Sequence, residues 1–166
     1  CGPSNISTDG FGLERINVIS TMEMKKAMED NFENADIVIM SAAVADYRPA
    51  TMAEQKIKKN DDDMRIDLVK NPDILQGLGQ MKQNQILVGF ALETQNEIEN
   101  ATAKLHKKNL DFIVLNSLQD KEAGFQKDTN KVSIISKKNE ILKFDAKEKS
   151  DVAKDILNFI IEMFDL

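Results

Sequence analysis

Three short apolar runs, separated by segments with helical periodicity, constrain the fold of this chain more than any other feature. They occupy residues 37–40, 86–91 and 111–115, and their length and apolar content are typical of strands buried on both faces. Because helical segments with short connections separate them, right-handed crossovers would place the strands side by side and parallel. The pattern predicts an α/β fold with a doubly wound, mostly parallel sheet.

Side chains that can cap helices precede the helical segments. Ser20 with Glu23, and Thr94 with Glu97, have the spacing of capping boxes and predict helices that end near residues 34 and 108. Asn71, followed by a proline, is a good N-cap for a helix that ends near residue 82. A last amphipathic helix is expected to begin at Ser150, with an inward face made of Val152, Ile156, Phe159, Ile160 and Met163.

Two segments break the alternation of strand and helix. Residues 56–70 (KIKKNDDDMRIDLVK) and 132–144 (VSIISKKNEILKF) each contain two alternating runs around a polar turn, which is the pattern of a β-hairpin. Hairpins beside a parallel sheet often cover an edge or form an interface. The expected architecture is one Rossmann-like domain over residues 1–166 with added β-hairpins.

Composition restricts the environment and the partners of the chain. Its 166 residues, 42% hydrophobic and 30% charged, suit one soluble domain. The net charge of −6 disfavours nucleic acid and anionic membranes as partners. One cysteine, no visible signal peptide and no apolar run near the ~20 residues of a membrane span favour the cytoplasm. Because the chain begins at Cys1 and not at Met, we expect a fragment or an excised domain.

Small residues follow the predicted strands, where ligands bind in open α/β sheets. They are Ser41, Ala42 and Ala43 after the first strand, Gly89, Phe90 and Ala91 at the end of the second, and Asn116 after the third. Short side chains would let a flat base approach the backbone, although tight strand-to-loop packing explains them equally well. A nucleotide site and a purely structural role both stay open.

Charged residues near these strand ends have the chemistry to hold a nucleotide. Asp46 can bind a metal-bound triphosphate or a ribose hydroxyl, although a turn aspartate is the commoner use. Lys56 lies on an expected strand face, where a lysine can meet a polyphosphate or remain solvated. Lys104 and Lys108 share one helix face, near a C-terminus that favours cations in any case. The sequence contains no Walker motif, no GxGxxG motif and no spacing typical of metal ligands. The missing GxGxxG motif disfavours a dehydrogenase.

The motifs, taken together, resemble the bacterial phosphopantothenoylcysteine synthetase family over nearly the whole chain. In chain order they are SAAVADYRP (41–49), KIKK (56–59), LVKNPDIL (68–75), LVGFALET (87–94), AxxKLxxKNLDFIVLN (101–116) and GFQKDTNKVSII (124–135). The resemblance implies a cytoplasmic ligase that joins 4′-phosphopantothenate to L-cysteine through a CTP-activated acyl-cytidylate. It also implies Mg²⁺, a homodimer, no flavin in this chain, and a flavin-dependent decarboxylase fused to or associated with the parent protein.

The resemblance assigns a role to each candidate residue. Lys56 would serve the activation step, and Asp46 would contact ribose or the Mg²⁺–triphosphate. Phe90, between Gly89 and Ala91, would pack on cytosine. Backbone approach to the nucleotide would fall to Ser41, Ala42 and Ala43, and phosphate contacts to Lys104 and Lys108.

The family carries an upstream β–α unit whose glycine-rich and asparagine-containing motifs do not occur in this chain. We therefore expect residues 1–166 alone to bind CTP without normal turnover. Two alternatives remain, a CTP-binding module without full catalysis and an NAD(P)-dependent oxidoreductase domain.

Overall fold

A computed structural model describes residues 1–4, 8, 12–53, 55–58, 64–117 and 129–165. The helices are α1 Thr21–Phe32, α2 Ile74–Met81, α3 Glu97–Lys107 and α4 Lys149–Phe164. The strands are β1 Ile37–Met40, β2 Tyr47–Pro49, β3 Leu68–Lys70, β4 Ile86–Glu93, β5 Phe112–Ser117, β6 Thr129–Asn130, β7 Val132–Ser136, β8 Ile141–Lys143 and β9 Lys147–Glu148. Within these described residues, no helix combines the length and the apolar character needed to cross a membrane.

The backbone divides into two compact units. The sheet unit contains Ala35–Ser41 and Leu75–Leu166, and the α1 unit contains Cys1–Asn34 and Ala42–Ile74. The single domain expected over residues 1–166 stays a prediction, and each unit is described by itself.

The sheet unit is built on five strands in the order β1-β4-β5-β7-β8. β1, β4 and β5 are mutually parallel, and the β7–β8 hairpin adds to β5 in antiparallel fashion. Met40 lies beside Gly89, and Gly89 lies beside Ile113, so the three parallel strands end at one edge. The predicted α/β fold, its parallel strands and the hairpin over residues 132–144 are confirmed.

Helices cover both faces of this sheet, because alternate residues of each strand point in opposite directions. On one face, Val152, Ile156 and Ile160 of α4 join a buried cluster with Val88 and Val114. On the other face, Leu75 of α2 and Leu110 beyond α3 approach the position where a side chain on Gly89 would lie. Burial from both sides explains why the central strands are continuous apolar runs.

The hairpin predicted over residues 56–70 is wrong. β3 pairs in antiparallel fashion with β2, which places Tyr47 beside Lys70 and Pro49 beside Leu68. Lys56 and Lys58 lie outside any strand, and residues 59–63 fall outside the described part of the chain. Alternation predicts an extended backbone, but it does not specify the partner strand, which here comes from earlier in the chain.

One of the four predicted helix caps is confirmed. The Glu23 N–H donates to Ser20 Oγ (3.2 Å), and Glu23 Oε2 accepts from the Ile19 N–H (2.8 Å). The Ser20 N–H also donates to Glu23 Oε2 (3.5 Å), and the backbone hydrogen bonds from Ile19 and Ser20 lower the pKa of the Glu23 carboxyl below its usual value. The capping box on Ser20 therefore sets the start of α1.

The other three helices begin differently from the prediction. α2 begins at Ile74, and the Asn71 side chain, which was expected to cap it, instead donates to Thr21 and Ala45. α3 follows a left-handed Asn96, without a side-chain cap, and α4 follows Glu148. Of the inward face predicted for α4, Met163 is instead 38% exposed.

Candidate functional site

Several of the predicted site residues lie on or directly after the parallel strands of the sheet unit. The second strand was expected to end at Ala91, but β4 continues to Glu93, so Gly89, Phe90 and Ala91 lie within it. Ser41 directly follows β1, whose last residue, Met40, pairs with Gly89. Phe90 pairs with Val114 of β5, and Ala91 follows it in β4. The structure therefore places Ser41 at the end of β1, beside the strand that carries Gly89, Phe90 and Ala91. This proximity is expected when crossovers make neighbouring strands parallel.

Close packing accounts for the glycine in this group. A Cβ on Gly89 would lie 2.7 Å from Leu110 Cδ1 and 2.9 Å from Leu75 Cδ2. Phe90 points to the opposite face and packs, partly buried, against the cluster under α4. Helix packing thus explains Gly89 without a ligand, whereas the partly exposed ring of Phe90 remains available to one.

Lys104 lies near the carboxyl edge, whereas Lys108 lies further along the crossover. Lys104 Nζ pairs with Glu93 Oε1 at 2.5 Å, and Glu93 is the last residue of β4. The Lys108 carbonyl instead packs against Gly79 of α2, beyond the last turn of α3. Because α3 leads back toward the start of β5, the four-residue spacing does not bring both lysines to the strand ends. Nucleotide contact by Lys108 stays a prediction.

A cavity of about 260 Å³ lies within the α1 unit. Its walls are the first turn of α1 and the Ala42–Ala45 segment, with Gly2, Pro3 and Val18 completing the lining. The short side chains of Ala42 and Ala43 leave backbone accessible on one wall. Ser20 and Thr21 place a helix N-terminus on the other wall, an end that favours negative charge.

Two charged candidates of the α1 unit are exposed. Asp46 follows the cavity segment directly, and its carbonyl accepts the Asn71 N–H at 2.8 Å. Lys56 is exposed on a segment without strand pairing. No cluster of three or more His, Cys, Asp or Glu side chains with metal-binding geometry occurs within the described residues.

Asn71 is a residue whose role the sequence reasoning missed. It is 7% exposed, and its Nδ2 donates to the Ala45 carbonyl (2.8 Å) and to Thr21 Oγ1 (3.1 Å). Arg48 Nη1 donates to its Oδ1 at 2.9 Å. In the sequence, Asn71 was noticeable only as part of the KNPDI motif (residues 70–74). Helix-capping rules predicted a local N-cap at this position.

A second cavity, of about 410 Å³, lies at the amino edge of the sheet unit and includes none of the predicted site residues. Lys82 Nζ and Asp111 Oδ2 are 2.6 Å apart there, and the same oxygen accepts the Leu87 N–H at 2.7 Å. These bonds join α2 to the starts of β4 and β5. The groups are already paired, which suits a structural role.

Known proteins match the chain over almost its entire length. The family model described as "DNA/pantothenate metabolism flavoprotein C-terminal domain" matches residues 1–164. The bifunctional coenzyme A biosynthesis protein CoaBC of Haemophilus influenzae is 43% identical over 98% of this chain. A cysteine/cysteine sulfinic acid decarboxylase from an unknown prokaryotic organism is 48% identical, also over 98%. The chain spans 40% and 45% of these two proteins, less than half of each.

Solved structures agree with the sequence matches. The C-terminal domain of a CoaBC protein has a TM-score of 0.80 and 35% identity, covering 99% of this chain and 72% of that one. A Cab2 variant in complex with phosphopantothenate-cysteine shares the fold, with a TM-score of 0.61, 18% identity and coverage of 78% of this chain and 46% of that one. The resemblance drawn from the motifs is confirmed. The chain belongs to the DNA/pantothenate metabolism flavoprotein C-terminal domain family, as do the C-terminal synthetase domains of CoaBC proteins.

Proposed function

We propose that the protein is a phosphopantothenate–cysteine ligase of coenzyme A biosynthesis that activates its acid substrate with CTP. The observation that carries the proposal is 42–43% identity to CoaBC proteins over 96–98% of the chain. The SAAVADYRP and KIKK motifs of this chain fit the same family, and the dehydrogenase alternative leaves them unexplained. We place the protein in the cytoplasm, with a fused or associated decarboxylase as its partner, as the family resemblance implies.

The proposed reaction has two steps. A carboxylate oxygen of 4′-phosphopantothenate attacks the α-phosphorus of CTP, the bond to the bridging oxygen breaks, and pyrophosphate leaves. The amine of L-cysteine then attacks the carbonyl carbon of the acyl-cytidylate. The carbon–oxygen bond breaks, CMP leaves, and the proton of the amine passes to solvent. Each step requires positive charge near a leaving phosphate.

We propose the roles of the candidate residues as the family resemblance implies them, for each unit by itself. In the α1 unit, we assign charge stabilisation on the leaving pyrophosphate to Lys56 and backbone contacts to Ala42 and Ala43. In the sheet unit, we assign cytosine packing to Phe90 and a phosphate contact to Lys104. The ion pair of Lys104 with Glu93 leaves the lysine 47% exposed, so an arriving phosphate can compete for it.

The residues fit a magnesium ion that arrives with the nucleotide. Mg²⁺ commonly takes one or two carboxylates, with phosphate oxygens and water as its other ligands. The exposed carboxylate of Asp46 supplies one such ligand beside the cavity segment. When bound, the ion would neutralise charge on the triphosphate, while Asp46 orients that end of CTP.

CTP with Mg²⁺ is expected to raise the melting temperature of the protein more than ATP or NAD does. A ligand that binds the native state stabilises it by about 2.7 kcal/mol at one hundred times its dissociation constant. Differential scanning fluorimetry with each nucleotide, matched in concentration and Mg²⁺, measures this order. Equal shifts with CTP and NAD would contradict the proposed specificity.

We also propose that the protein is a homodimer joined through its α1 unit. That unit exposes several large apolar side chains, namely Met52 (93%), Met64 (67%), Ile57 (64%) and Leu68 (58%). Such exposure is expected of surfaces that a partner covers. Light scattering at micromolar concentration should give twice the chain mass, and Leu68→Asp should lower it. A monomeric mass for the unmodified protein would contradict this assignment.

A further inference from the structure

We propose that Asn71 is a positioning residue that holds together the two walls of the α1-unit cavity and thereby orients the Ala42–Ala45 backbone toward its ligand. The inference rests on the proposed function, since it takes that ligand to be CTP. Asn71 is not itself a lining residue of the cavity. It acts through Thr21 on one wall and Ala45 on the other.

The amide of Asn71 spans the two walls directly. Its Nδ2 donates one hydrogen to Thr21 Oγ1 at 3.1 Å and the other to the Ala45 carbonyl at 2.8 Å. Thr21 is the first residue of α1, and Ala45 ends the segment that carries Ala42 and Ala43. A single side chain therefore sets the separation between a helix N-terminus and the backbone assigned to nucleotide contact.

The orientation of this amide follows from its neighbours. Arg48 Nη1 only donates and lies 2.9 Å from Oδ1, whereas the Ala45 carbonyl only accepts. Exchanging the amide oxygen and nitrogen would set donor against donor and acceptor against acceptor. Arg48 Nη1 also donates to the Lys70 carbonyl at 3.2 Å. The donors of Asn71 are thus held toward the cavity walls.

The backbone of Asn71 reinforces the same connection. Its N–H donates to the Asp46 carbonyl at 2.8 Å, next to the β2–β3 ladder. Asn71 therefore bonds consecutive residues, Ala45 through its side chain and Asp46 through its backbone. Hydrogen bonds to two adjacent residues restrict both the position and the rotation of the Ala42–Ala45 segment. They therefore affect the geometry that this segment presents to a ligand more than they affect burial.

Substitutions can separate positioning from general stability. Asn71→Asp keeps the size of the side chain and the Arg48 contact, but it removes both donors to the cavity walls. Thr21→Val removes one acceptor, while Thr21→Ser keeps it. Asn31→Ala is the matched control in the same unit, because Asn31 Nδ2 donates to the Ala27 carbonyl at 2.8 Å on an exposed face of α1.

The test is calorimetric titration of each variant with CTP and Mg²⁺, together with amide hydrogen exchange over residues 42–50. Asn71→Asp is expected to weaken CTP binding about tenfold, since small displacements of positioning groups have effects of this order or larger. Thr21→Val should weaken binding about threefold, and Thr21→Ser, which keeps the acceptor, should weaken it less, whereas Asn31→Ala should bind like the unmodified protein. Exchange over residues 42–50 should accelerate in Asn71→Asp and not in Asn31→Ala.

The possible results distinguish failure of the positioning role of Asn71 from failure of the proposed function. CTP affinity and exchange that are both unchanged in a folded Asn71→Asp would overturn the positioning role. If Asn71→Asp does not fold, equal affinity in Thr21→Val and Thr21→Ser overturns it instead. If the unmodified protein does not bind CTP, the proposed function is wrong, and the exchange result alone then decides whether Asn71 holds the segment.

Discussion

Replacement of Lys56 by glutamine in the intact enzyme is expected to slow acyl-cytidylate formation by a factor of about 10² to 10³, the usual effect of removing a group that stabilises transition-state charge. The expectation rests on the proposed role of Lys56 at the leaving pyrophosphate. Lys56 is exposed and lies outside any strand. The substitution should therefore change the free energy of unfolding by no more than about 0.5 kcal/mol.

Pyrophosphate release in a single turnover, with phosphopantothenate and CTP but no cysteine, measures this step directly. Lys58→Gln is the matched control, because Lys58 is also exposed and lies two residues away. The control should retain pyrophosphate release within about threefold, as expected of a surface substitution away from the chemistry. An unmodified rate in Lys56→Gln would show that another group stabilises the leaving phosphate.

The second large effect concerns stability. Gly79→Ala should lower the free energy of unfolding by about 3 kcal/mol or more, the upper end of what overpacking costs. A Cβ at Gly79 would lie 1.9 Å from the Lys108 carbonyl oxygen and 2.9 Å from its carbon. Both atoms are backbone, so the α2 helix or the end of α3 would have to move.

Gly77→Ala provides the matched comparison within the same helix. No atom lies within 4 Å of a Cβ at Gly77, so the change should stabilise the protein by about 0.5 to 1 kcal/mol through helix propensity. Urea unfolding of both variants gives the two free energies. Equal effects at the two positions would mean that α2 does not pack against Lys108 as described.

The sequence predicted the sheet because burial leaves a strong local pattern. Residues 86–91 are apolar on both faces of the sheet, because α4 covers one face and α2 and α3 cover the other. Ser20 and Glu23 likewise predicted the start of α1, because a capping box lies within four consecutive residues. In each case the physical cause lies among residues adjacent in the chain or on one repeating face.

Contacts between residues that are distant in the chain could not be predicted in the same way. Residues 56–70 were expected to form a hairpin of their own, but β3 pairs with β2 instead. Lys104 and Lys108 share a helix face, yet Lys104 pairs with Glu93 while the Lys108 backbone packs against Gly79. Spacing gives the direction of a side chain, whereas the length and course of the crossover decide which end of the sheet it reaches.

The family motifs identified Asp46 and Lys56 as candidate site residues, because those positions are marked by residue type and order along the chain. Asn71 shows what the sequence by itself could not determine. Local rules favour asparagine before proline as a helix cap, but the folded chain uses this side chain between Thr21 and Ala45, which lie 50 and 26 residues away. A buried amide makes whichever hydrogen bonds satisfy all its groups at once, and those partners exist only after the tertiary structure has brought them together.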